Sequence, residues 1–77
     1  MWLEKNAADF IMFTKELTQA GHVRRFTIRE ANDGWELREE EDSKLVRQVQ
    51  YRDWHRVERA KMRIDEQVTD LENRGWR

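Results

Sequence analysis

Arg56, Arg59 and Arg63, with Arg52 just ahead of them, are spaced to present guanidinium groups along one stripe of an α-helix. Groups one turn apart on such a stripe can hold successive phosphates or carboxylates. Like charges at these spacings each cost a few tenths of a kcal/mol, roughly 0.2–0.5 per pair, in an isolated helix, so the stripe calls for a counter-charge. The chain itself carries one, because residues 30–43 hold seven carboxylates against Arg38 alone, whereas residues 44–63 hold seven cations against Asp53 and Glu58. The formal net charge of −1 therefore averages two opposed segments, and the molecule is expected to be charge-separated rather than neutral throughout.

Other candidate chemistries are thinner. The acidic patch Glu36, Glu39, Glu40, Glu41 and Asp42 lacks the alternating oxygen ligands and central glycine of a calcium loop. It reads as a solvated turn whose charge discourages edge pairing, or, if functional, as a phosphate-mimicking surface of an inhibitor encoded by a mobile element. His55 and Glu58 stand at i,i+3 without a third ligand, and His22 sits where an element ends. The chain has no cysteine, and Ser43, its single serine, has no glycine-rich loop or nucleophile elbow around it. No catalytic residue, metal or cofactor is expected, and the chain is not expected to be an enzyme.

Seventy-seven residues suffice for one small domain and supply a core of only a few kcal/mol without a staple. With no disulfide to help, a homodimer is the expected supplement. Charged residues make up 40% of the chain, but four tryptophans argue against disorder. No apolar run reaches twenty residues and no signal peptide is evident, so a cytoplasmic location without membrane association is expected.

The expected elements form an α+β domain in the order α-β-β-β-α. Asn6 reads as an N-cap, and Phe10, Phe13, Leu17 and Ala20 form one stripe of a helix over residues 7–20 closed by Gly21. From Val23 the period falls to two. Strands are expected at about 23–31, 35–41 and 45–51, the first two joined through Asn32-Asp33-Gly34 with Gly34 left-handed. They form a three-stranded antiparallel meander, packed on one face by the shorter N-terminal helix and a long C-terminal helix over about 53–74. Asp53 caps that helix, and its seam is Trp54, Val57, Ile64, Val68 and Leu71. Gly75 and Trp76 fit a Schellman ending in which Trp76 meets Leu71.

A helix of that length should overhang short strands. The overhang would carry Val68 and Leu71, and with Ile11, Met12 and Trp76 these are the candidate dimer contacts. The expected order is also similar to that of double-stranded-RNA-binding domains, which contact phosphates from the start of their second helix; Arg52, Arg56 and Arg59 would occupy that place. The lysine-rich cluster and Gly-Pro-x-His loop of such domains do not occur here.

The expected function is a small interaction module that dimerises through its helices and docks an unidentified protein through the charged hairpin or through Trp35, Arg52, Arg56, Arg59 and Arg63. The alternative is nucleic-acid backbone binding through the arginine stripe. A pI near 6.1 is low for such a protein as a whole, so the alternative depends on the charge being segregated.

Overall fold

The computed structural model of the protein describes residues 11–77. Four strands, β1 (Ile11–Gln19), β2 (His22–Ala31), β3 (Gly34–Glu41) and β4 (Lys44–Tyr51), precede one helix, α1 (Trp54–Asn73). The strands form an antiparallel meander in the order β1-β2-β3-β4. The class is α+β, but the expected three strands and two helices are corrected to four strands and one helix.

The error lies at residues 11–20, expected to be helical; the rest of that expected helix, residues 7–10, is outside the described residues. Phe13 and Leu17 are four apart, which suits either period. Strand alternation was hidden twice. Lys15 occupies a position facing the core, half-buried, opposite Phe26, where its apolar stem can pack. Met12 is an extra residue at the register shift between Ile11 and Phe13, so it breaks the alternation locally. Gly21, read as the end of a helix, instead forms a two-residue hairpin turn with Ala20, both at positive φ (82° and 51°).

The other two turns have their own locks. Asp42 and Ser43 also have positive φ (53° and 68°), and the Asp42 carboxylate accepts from the Val23 amide at 2.8 Å. At the middle turn Gly34 has a positive φ of 151°, which side chains rarely adopt, and a Cβ there would run into the Tyr51 carbonyl. Both the positive φ and the close approach of two backbones require glycine at this position.

One sheet face is covered by α1. Leu17, Phe26, Ile28 and Leu37 from the sheet meet Val57, Ala60, Ile64, Val68 and Leu71 from the helix, bordered by Phe13, Trp35, Val49, Tyr51 and Trp76. The Asp53 side chain caps α1 by accepting from the His55 amide at 3.0 Å. The helix crosses the sheet from Trp35, whose ring centroid is 5.3 Å from that of Trp54, to the far end of β1. There the Gln19 amide donates to the Arg74 carbonyl, and Thr18 exchanges two 2.9 Å backbone bonds with Arg77. The final turn is a Schellman motif, with the Trp76 and Gly75 amides donating to the Leu71 and Glu72 carbonyls.

This path corrects the expected overhang. Four strands of eight to ten residues and a helix that ends over β1 cover Val68 and Leu71 within the chain, each 8% exposed. Their burial, roughly 1.5–3 kcal/mol per side chain, needs no second subunit. The four-stranded order likewise removes the likeness to double-stranded-RNA-binding domains. No described helix is long and apolar enough to cross a membrane.

Candidate functional site

Four of the five arginines of the sheet are spent on its own carboxylates. On the face away from α1 the register sets Glu16 opposite Arg25, Arg25 opposite Glu40, and Arg29 opposite Glu36. The side chains follow it. Arg25 donates to Glu16 from Nε at 3.0 Å and from Nη2 at 2.7 Å, and its Nη1 lies 3.6 Å from Glu40. Arg29 Nε donates to Glu36 at 2.8 Å, the Gln48 amide donates to the same carboxylate, and Arg38 lies 3.6 Å from Glu40. Glu36 is only 5% exposed. Burial alone would push its carboxyl up, but the Gln48 and Arg29 hydrogen bonds and the neighbouring positive charges outweigh that and hold it below its ordinary range.

On the helix-bearing face Glu39, 6% exposed, is bound by Arg24, whose guanidinium also lies over the Phe26 ring at 5.7 Å. Asp42 accepts from His22 Nδ1 at 2.9 Å. That hydrogen bond, then the charge of Asp42, raises the His22 pKa above 6.5, and the His22 and Val23 donors lower that of Asp42. The acidic patch is therefore not one surface. Glu36 and Glu39 are buried on opposite faces, Glu40 is half-buried, and Glu41 and Asp42 are exposed.

The helix behaves differently. Arg56, Arg59 and Arg63 are exposed, as are Arg52 and Arg47, and among the described residues none of the five has a carboxylate within 4.0 Å. Their expected neutralisation by the acidic hairpin does not occur there, because β2 supplies that hairpin's partners. At about 100° per residue the arginines lie on one flank of the core seam, and Glu58, Lys61, Met62 and Asp65 on the other. The second flank faces β1, since Lys61 Nζ sits 5.4 Å from the Phe13 ring centroid. The arginine flank thus looks toward β4, where Arg47 shares the helix-bearing face through its pairing with Glu39.

Charge also runs against the helix dipole. The first half of α1 carries Arg56, Arg59, Lys61 and Arg63 against Glu58, and the second half carries Asp65, Glu66, Asp70 and Glu72. No acidic residue lies in the first turn and no basic one in the last. The favourable arrangement is the reverse, at about 0.3–1 kcal/mol per charge near an end.

Hollows adjoin these surfaces among the described residues. An apolar groove of about 470 Å³ between α1 and the start of β1 is lined by Met12, Phe13, Ile28, Trp54, Val57 and Met62, with Glu58, Lys61 and Asp65 at its rim. A polar hollow of about 520 Å³ on the sheet face away from α1 lies among the neutralised arginines Arg25, Arg29 and Arg38. A smaller cavity of about 250 Å³ lies where the β2–β3 turn meets the end of β4, lined by Asn32, Asp33, Trp35, Gln50, Tyr51 and Arg52 among others.

Trp35 is half-buried against Trp54, with its indole N–H buried and unpartnered among the described residues; it is a wall, not an exposed anchor. Of the candidate dimer contacts, Ile11 and Met12 remain exposed, Trp76 borders the core, and Val68 and Leu71 lie within it. His55 approaches Glu58 at 3.7 Å with both side chains exposed. Among the described residues no three His, Asp or Glu side chains converge to hold a metal. Sequence reasoning missed Arg24, Arg25 and Arg29 as the hairpin's partners. The signal was present, because a turn at Asn32-Asp33 pairs Arg29 with Glu36 and Arg25 with Glu40 by counting outward. No family model, curated protein or solved structure matches the chain.

Proposed function

We propose that this chain is a non-catalytic binding module that holds the phosphate backbone of a nucleic acid along Arg52, Arg56, Arg59 and Arg63. The observation that carries the reading is the contrast just described: Glu16, Glu36, Glu39 and Glu40 are engaged by arginines of the sheet, and the helix arginines, placed against the helix dipole, have no carboxylate partner among the described residues. A row that costs the fold free energy and is exposed to solvent is suited to an external polyanion.

A nucleic acid suits the row better than an acidic protein. Arg56 to Arg63 advances about 10 Å along a straight ridge, and the exposed apolar side chains Met12, Trp54 and Met62 line the groove on the opposite flank. Protein interfaces centre on buried apolar and aromatic anchors; phosphate contacts need only aligned cations.

The test is fluorescence anisotropy with labelled oligonucleotides of random sequence. Four phosphate contacts predict an affinity loss of roughly 50- to 150-fold between 50 and 200 mM salt, the smaller figure for single strands. An absence of binding at 50 mM salt contradicts the reading, and tight binding that ignores salt does so equally.

A further inference from the structure

Resting on that reading, we infer that the bound strand is single and that the cavity beside Arg52 receives one of its unpaired bases. Arg52 belongs to both features, as a lining residue of the cavity and as the first cation of the row, four residues ahead of Arg56 and just before the helix begins. A strand whose phosphates follow Arg63, Arg59 and Arg56 reaches the cavity at its next step.

The cavity has the composition a base requires. Trp35 and Tyr51, both half-buried, are among its lining residues, and Trp54 packs on Trp35 with rings tilted by 58°. Exposed Asn32 and Gln50 each offer an amide with donors and an acceptor, and Asp33 offers an acceptor. This mixture suits the hydrogen-bonding edge of a base, whereas phosphate alone would be poorly served by Asp33. Gly34 shapes the site, since its lack of a Cβ lets the β2–β3 turn approach the Tyr51 carbonyl. About 250 Å³ is ample for one base. Bases in a duplex are stacked and paired, so only a single strand can present one without an opening cost.

The experiment compares four ligands on the full chain at 50 mM salt: a ten-nucleotide single strand, the same backbone abasic at every position, a blunt ten-base-pair duplex, and a nucleoside monophosphate. The single strand is expected to bind about 10-fold more tightly than the abasic backbone, the scale of one stacked base, with the same salt slope for both. Asn32→Ala and Gln50→Ala, at exposed positions, should each narrow that gap without changing the slope or the stability of the fold.

Equal affinity for normal and abasic strands overturns the cavity's role while leaving backbone binding intact, as does a duplex that binds as well as the single strand. A monophosphate that binds as tightly as the ten-mer also overturns it, by making the cavity a free-nucleotide site. If none of the four binds, the reading of the arginine row fails and this inference fails with it.

Discussion

The sheet and the first half of the helix are both rich in charge and put it to opposite uses. In the sheet Arg24, Arg25, Arg29 and Arg38 each face a carboxylate across or along a strand, and two of those carboxylates are buried. In the helix Arg56, Arg59 and Arg63 face solvent, one beside another, at the end where the dipole disfavours them. The difference teaches that overall balance is a poor guide to surface function: a chain of net charge −1 can offer a cationic row when acids such as Glu36, Glu39 and Glu40 are engaged within the sheet.

The largest way to break this contrast is to strand a sheet cation. Glu39→Ala leaves Arg24 half-buried without its carboxylate, and the expected loss is about 2–4 kcal/mol in urea unfolding. Glu41→Ala, at an exposed position among the same acids, should stay within about 0.5 kcal/mol. Similar losses from both would place the acidic run in solvent as one patch and erase the distinction.

A smaller effect comes through pH. Glu36 has a lowered pKa, so its stabilisation is complete above its ordinary value of 4.5 and disappears as pH falls through the lowered one. Asp42, ordinarily 3.8, behaves in the same way. His22 has the opposite sign: its contribution is present below 6.5 and fades as pH rises through the raised value. Unfolding midpoints should therefore fall in acid in the parent chain, and less so in Glu36→Gln. Asp42→Asn should remove a smaller dependence near and above pH 6.5. An unchanged acid profile in Glu36→Gln would show that this carboxylate is not held by its neighbours.

The local half of this contrast was legible in the sequence. The arginine stripe, the Asp53 cap and the Gly75-Trp76 ending depend on local spacing, and α1 has them in place. The β2–β3 turn was equally local. The first strand was not, because Lys15 at a core-facing position and the extra residue Met12 disguise a two-residue period, while Phe13 and Leu17 fit a helix as well. The mixed pattern of Leu45 and Val46 has a similar cause, a register shift opposite Glu39 and Glu40. The destination of the acidic charges required pairing across strands, which single-segment patterns do not report. The cavity at Asn32, Gln50 and Arg52 was beyond reach for the same reason, since it joins a turn to a strand end seventeen or more residues away.

The most direct measurement is the salt dependence of single-strand affinity for the parent chain and for one chain carrying Arg56→Gln, Arg59→Gln and Arg63→Gln, with the unfolding free energy of each recorded alongside. Removing three phosphate contacts should flatten the slope of log K against log salt by about 2. Stability should hold or rise by up to about 1 kcal/mol, as like charges and dipole opposition are relieved. An unchanged slope, or a variant that loses several kcal/mol of stability, would mean that these arginines are committed to the fold, and the account would be contradicted.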